Sequence, residues 1–191
     1  MKFKDGLIMT NEIIITIDTG ERFVGIFAYL KTPLQVYSKV EQLDLANKTQ
    51  QDMITILINT LNDIIDIFKK HTKIDKTTII VEDFINYNHK VNIKGYKSNP
   101  VNEMNGWIIQ YCLNNNYEFG KQRAVQAKIF DNERLERLGF FKKQGKEYYL
   151  ITDRQLVFIP KHTRDAFRHF IYYTNKTWFD KQITWEKVWC C

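Results

Sequence analysis

The residue pattern predicts a mixed α/β fold: a sheet with helices on both faces. Two observations carry this. Three short apolar runs come first, and then two long helical periodicities separated by a buried strand. A third bounds the size: 191 residues, 44% hydrophobic and 26% charged, suit one soluble globular domain able to bury a core.

The elements follow in order. Glu12–Ile17, Arg22–Leu30 and Leu34–Val40 read as three consecutive strands, antiparallel to their neighbours. The second is rich in β-branched and aromatic residues, the third alternates through Val36, Ser38 and Val40, and Gly20 and Pro33 punctuate them. A helix then starts at Thr49, whose partner Asp52 three positions on completes a capping box. Ile54, Leu57, Ile58, Leu61, Ile64, Ile65 and Phe68 recur along it at helical spacing. "TTIIV", Thr77–Val81, reads as a buried strand ending in Glu82.

A second helix is expected over Asn102–Leu113, turning Met104, Trp107, Ile108 and Tyr111 toward the sheet, with Gly106 permitting close packing. "YEFGKQRAVQAKIF" supplies another strand, and "NERLERLG" a short helix closed by Gly139. "FFKKQGKEYYLI" is a hairpin around Gln144-Gly145, and Lys161–Tyr173 is a helix after Pro160. The expected organisation is a flexible leader over 1–11, one domain over 12–174 and a C-terminal extension over 175–191.

Composition narrows the function classes. No apolar stretch has the roughly 18 residues of a membrane span, and the start has no signal-peptide core, so a cytoplasmic protein is expected. The three cysteines, Cys112, Cys190 and Cys191, lack metal-ligand spacing. A formal charge of +6 suits a partner made of phosphates. From Phe84 to Asn102 there is no acid. Lys90, Lys94 and Lys97 are interleaved there with Tyr87 and Tyr96, the mixture of a strand-following nucleic-acid surface or of a solvated loop.

The run "IITIDTG" ends in Asp18-Thr19-Gly20. Aspartic proteases, sugar-kinase-like ATPases and nucleases of the RNase H type all use an acid in such a setting. Two long helical patterns argue against the nearly all-β protease. Eight unclustered glycines argue against the two-lobed ATPase. Metal-assisted phosphodiester cleavage needs carboxylates from separate elements to converge, and three places offer them. Asp18 lies at the end of the first strand and Glu82 at the end of the fourth. His162 and Asp165 lie at i and i+3, on one face of the last helix. Taken singly, each has a plainer reading, as a turn residue, a solvated strand end or a helix N-terminal residue.

Strand-Asp18-x-Gly20, a strand ending in Glu82, and His162-x-x-Asp165-Ala166 with His169 four residues on together resemble the RuvC branch of the RNase H-like nucleases. "HTRDAFRHFIYY" is similar to the last motif of phage-encoded RuvC-like Holliday junction resolvases. The resemblance runs from about Glu12 to Thr174. It implies a mixed five-stranded sheet flanked by helices with three antiparallel strands first, and a homodimeric endonuclease of the crossover junction endodeoxyribonuclease type. Its substrate would be four-way junctions or other branched DNA, inside an infected host cell if the chain is phage-encoded.

The resemblance further implies two Mg²⁺ (or Mn²⁺) ions held by Asp18, Glu82, His162 and Asp165. His162 either ligates through a ring nitrogen or orients the attacking water, and Asp83 is a stand-in for Glu82 on the opposite side of the strand. Phe84, Tyr87, Lys90, Lys94, Lys97, Lys121, Arg123, Lys128, Arg164 and Arg168 are the expected nucleic-acid contacts. Trp107, Trp178, Trp185 and Trp189 are candidates for a dimer contact or for the core. The hairpin around Gly145, with Lys142, Lys143 and Lys146, has no counterpart in that family; a DNA contact, a dimer contact and a solvated turn stay open. Two further readings stand beside the resolvase: an RNA–DNA hybrid or flap nuclease of the same fold, and a junction-binding module that does not cleave.

Overall fold

The computed structural model describes residues 10–32, 36–83, 100–152 and 155–179. Three strands come first: β1 (Glu12–Thr19), β2 (Phe23–Lys31) and β3 (Val36–Asp44). Helix α1 (Gln50–Lys69), strand β4 (Lys76–Asp83), helix α2 (Pro100–Asn115) and strand β5 (Glu118–Arg123) follow. Two short helices, α3 (Ala124–Ala127) and α4 (Asn132–Arg137), lead to strands β6 (Phe141–Gln144), β7 (Glu147–Ile151) and β8 (Leu156–Phe158). Helix α5 (Lys161–Phe179) closes the described chain.

β1 to β5 form one sheet in the order β3-β2-β1-β4-β5, antiparallel across β1–β2–β3 and parallel across β1–β4–β5. This is the RNase H-like arrangement that the resemblance implied. β1 sits at the centre with helices on both faces, so nearly all of it is buried. Its two side-chain faces feed separate cores. Ile13, Ile15 and Ile17 pack with Ile79, Val81 and the apolar faces of α1 and α2. Ile14 packs with Phe27, Ile80 and the aromatic face of α5, where Phe167 and Phe170 lie against Phe27 at ring centroid distances of 4.8 and 4.9 Å.

The same alternation places polar groups. Thr16 shares the face of Ile14, and its hydroxyl donates to the Ala166 carbonyl of α5 at 2.8 Å. Thr163, also fully buried, donates to the Glu41 carbonyl at 2.8 Å. These two bonds, from residues in β1 and α5, seat the first turns of α5 on the sheet. Asp18 therefore projects toward α5.

The Thr49–Asp52 capping box forms as expected. β3 runs on to Asp44, because its pairing with β2 continues to the Phe23↔Asp44 register. α5 also outruns its expected end at Tyr173. Gly106 departs from its expected role: it is exposed, and among the described residues a Cβ there would meet nothing within 4 Å, so no close packing depends on it. The hairpin around Gly145 is present, with φ of +62° at that glycine. It gains β8 as a third strand, paired with β7.

Candidate metal centre

Asp18 lies at the C-terminal end of β1 and Glu82 at the C-terminal end of the parallel β4, where Ile17 and Val81 are paired neighbours. Crevices outside the carboxyl ends of parallel strands are where α/β sheets bind ligands. Helix α5 lays its first turns across this edge, bringing His162, Asp165 and His169 over the two strand ends. The close approach depends on Gly25, the cross-strand partner of Asp18. A Cβ at Gly25 would lie 2.1 Å from the His162 carbonyl carbon and 2.4 Å from the Thr163 nitrogen.

The acids are held in pairs with bases. Asp18 Oδ2 is 2.8 Å from His162 Nδ1. The His162 ring stacks on Phe23, with centroids 5.7 Å apart, and Arg22 covers the Phe23 ring from 4.7 Å. Glu82 Oε2 is 3.1 Å from His169 Nε2, whose other nitrogen faces Gln122 Oε1 at 3.1 Å. Asp165 is bonded by Arg168, which also donates to Asn132 Oδ1 at 2.8 Å. Among the described residues no three of these side chains form a ready-made ligand shell.

The electrostatics nevertheless mark the cluster as short of positive charge. Burial pushes the Asp18 carboxyl up to about 6; its bond to His162 opposes the rise, and the nearby charges of Glu82 and Asp165 add to it. Burial also raises Glu82, but bonds from His169 and from Asp18 outweigh it and hold that carboxyl below the ordinary range. Bonding to Asp18 holds His162 above the ordinary imidazole value. Three carboxyl groups from three elements, one of them raised by burial and by its acidic neighbours, form a hard-oxygen donor set of the kind that suits Mg²⁺ or Mn²⁺. It is the chemistry of these donors, and not a preformed shell, that matches a divalent ion.

A stability prediction arises here. An unfolded aspartate titrates near 3.8, whereas folded Asp18 titrates near 6. The folded chain thus holds this proton more tightly, and stability is lost as pH rises from about 4 through about 6. Asp18→Asn removes the charge. Chelator-treated Asp18→Asn is expected to melt a few degrees above the wild type at pH 8, about 1 kcal/mol, with the difference shrinking toward pH 4. Thermal melts across that pH range check it.

Two buried amides complete the site, and pattern alone did not single them out. Asn105 of α2 donates to the Glu82 carbonyl at 3.0 Å and accepts from the Thr19 hydroxyl at 3.2 Å, tying the ends of β4 and β1 together. Gln122 sits beside Glu82 in the β4–β5 register and orients His169. The only trace of either in the sequence is a polar residue on an inward face. Asn105→Ala strands a buried hydroxyl and a carbonyl, and is expected to cost about 1–3 kcal/mol in chemical denaturation.

The other expected residues distribute as follows. Asp83 points away from the cluster and pairs with Lys121 at 3.8 Å, as strand alternation requires. Lys128 lies near enough to Glu82 to lower its pKa. Arg123 is exposed at the start of α3, Arg164 lies over the Tyr148 ring at 4.8 Å, and Arg168 is committed to Asp165. Trp107 packs half-buried against the core. Phe84, Tyr87, Lys90, Lys94 and Lys97 lie outside the described residues, as do Trp185, Trp189, Cys190, Cys191 and the side chain of Trp178. Among the described residues no helix is long and apolar enough to cross a membrane.

No protein-family profile and no curated protein sequence matches the chain. Its fold does have solved counterparts. Thermus thermophilus RuvC in complex with a Holliday junction substrate superposes with a TM-score of 0.53 at 12% identity, covering 90% of this chain and 96% of that one. A second structure of Thermus thermophilus RuvC gives 0.52 at 12% identity, covering 86% and 96%. At that identity the likeness is one of fold: this chain has the RuvC-like, RNase H-like architecture over most of its length.

Proposed function

We propose that the chain is a divalent-metal-dependent endonuclease that hydrolyses phosphodiesters in branched DNA, four-way junctions above all. One observation carries the reading. Asp18, Glu82 and Asp165, from β1, β4 and α5, converge at the carboxyl end of the parallel strands, with Asp18 pushed up to about 6. A buried acid strongly perturbed by its burial and by acids from other elements points to a functional site. The RuvC-like fold and the positive net charge support a DNA substrate.

Asp18, Glu82 and Asp165 would supply the oxygen donors. Mg²⁺ or Mn²⁺ bound there would neutralise the phosphate and activate water for attack at phosphorus. The chain's own residues do the rest. His162 is fixed through Nδ1 by Asp18 and through its face by Phe23. Its Nε2, which makes no hydrogen bond among the described residues, is then available to orient the attacking water. His169 and Gln122 hold the Glu82 carboxylate, and Asn105 holds the strand from which it projects. Arg168 holds the Asp165 carboxylate in place. A four-way junction offers two equivalent strands for cutting, so a two-fold homodimer would present one site to each.

Metal binding should release protons, because Asp18 and His162 are held above their ordinary values in the absence of metal. Calorimetric titration with Mn²⁺ in buffers of different ionisation enthalpy is expected to show binding with net proton release near pH 6. Asp18→Asn should remove both. A wild-type chain that binds no divalent ion would leave the acids with a structural role only.

A further inference from the structure

The small sheet β6–β8 carries an arrangement that neither the core nor the metal centre uses. Lys143 of β6 and Tyr148 of β7 are direct cross-strand partners, and the Lys143 ammonium lies 5.8 Å from the Tyr148 ring centroid. Arg164 of α5 lies over the same ring at 4.8 Å. Two cations thus meet on one half-buried tyrosine, and neither forms an ion pair among the described residues. The acids nearest in sequence make their contacts elsewhere and form no ion pair with either cation among the described residues. Asp165 is paired with Arg168. Glu136 accepts from the backbone N–H of Lys143 at 3.2 Å, and Glu147 accepts from the Tyr149 hydroxyl at 2.8 Å. The Arg164 guanidinium makes one hydrogen bond, to the Ile159 carbonyl at 3.3 Å. Lys142 and Lys146 lie exposed on the same hairpin.

Neither cation is neutralised by an ion pair among the described residues: each lies against the ring of Tyr148, and Asp165 attracts Arg164 without pairing with it. Arg164 also precedes Asp165 in the chain, so this cationic spot borders the metal centre. The inner face of the small sheet is fixed rigidly to α5: Phe141 packs on Phe167 with centroids 5.2 Å apart, and Leu150 shares that core. A group bound by Lys143 and Arg164 is therefore held in register with Asp165.

We infer that Lys143, Tyr148 and Arg164 form a phosphate-binding site for the backbone of a DNA arm entering the metal centre, with the β6–β8 sheet as its platform. The inference rests on the nuclease reading above and adds where the substrate is gripped. Contacts of this kind set position and orientation without reading bases.

The test is fluorescence anisotropy of the full chain with a labelled immobile four-way junction, in chelator so that nothing is cut, between about 50 and 200 mM salt. Lys143→Ala and Arg164→Ala are each expected to weaken binding about 5- to 10-fold and to lower the slope of log affinity against log salt by about 1. Lys143→Arg should retain binding, and Lys143 is exposed, so melting temperature should not change. Lys70→Ala, at the end of α1, removes the same charge from the far face of the sheet and should leave the affinity unaltered.

Wild-type binding matched by Lys143→Ala and Arg164→Ala would overturn the site while leaving the nuclease reading intact. Equal losses in Lys70→Ala would overturn it too, since net charge alone would then account for them. A dimer that Lys143→Ala converts to monomer in sedimentation velocity would make this a self-association face instead. A wild type that binds no DNA would overturn the nuclease reading and this inference together.

Discussion

Asp18→Asn is expected to lower the rate of junction cleavage by about a thousandfold or more while binding of the junction is kept or slightly improved. The two halves have different causes. Cleavage falls because the substitution exchanges an anionic oxygen donor for a neutral amide in a site that gains its catalytic power from bound divalent ions. Affinity survives because a negative charge near the substrate phosphate has gone. Glu82→Gln and Asp165→Asn should behave alike, although each also releases a base, His169 or Arg168, from its partner. Parallel cleavage and anisotropy measurements on the three variants check this. If all three still cut at the wild-type rate, the acids have been assigned the wrong role.

Gly25→Ala is expected to act on the same site through the backbone. Asp18 and Gly25 are paired across β1 and β2, and the first turn of α5 passes directly over the glycine. A methyl group there would stand 2.3 Å from the His162 carbonyl oxygen and about as close to its carbon. Those are backbone atoms, so no side-chain rotation relieves the clash; the helix must lift. Lifting it breaks the Thr163 bond to Glu41 and separates His162 and Asp165 from Asp18. Overpacking of this kind costs about 1–3 kcal/mol, occasionally more, and a loss near 3 kcal/mol would lower Tm by roughly 6–12 °C in a chain of this size. The variant should therefore lose both stability and metal-dependent cutting, whereas Asp18→Asn should lose only the second. A Gly25→Ala chain with unchanged melting and activity would show that α5 does not ride on β2 as described.

The contrast between these two positions also shows what the sequence can and cannot reveal. The placement of Asp18, Glu82, His162 and Asp165 at the ends of elements was legible, because each borders a strongly patterned run. Successive strand residues point to opposite faces, and the i, i+3 spacing in α5 puts two residues on one side. The capping box at Thr49 was legible for the same reason, since the whole motif lies within four residues.

Gly25 was not legible. A glycine inside a strand reads as a weakness until the helix that crosses it, more than a hundred residues later, is in place. Gly106 misled in the opposite sense, since it lies between Met104 and the apolar Trp107 and Ile108 but its own position faces solvent. Asn105 and Gln122 escaped because their partners are a backbone carbonyl and a histidine on other elements, which no local pattern encodes. β8 has only three residues and owes its strand geometry to pairing with β7. The cluster around Tyr148 is of the same type: Lys143 and Tyr148 meet through hairpin register, but Arg164 reaches them only through tertiary packing.

The proposed metal-dependent cutting of branched DNA depends on the acids at the ends of β1 and β4 and at the start of α5. It is tested most directly by incubating the full chain with labelled immobile four-way junction, linear duplex, flap and RNA–DNA hybrid, each with Mg²⁺, with Mn²⁺ and with chelator. The predicted result is paired, symmetric nicks in the junction with either ion, none with chelator, and none in any substrate with Asp18→Asn. Cutting that persists in chelator or in Asp18→Asn, or tight junction binding with no cutting under any divalent ion, would contradict it.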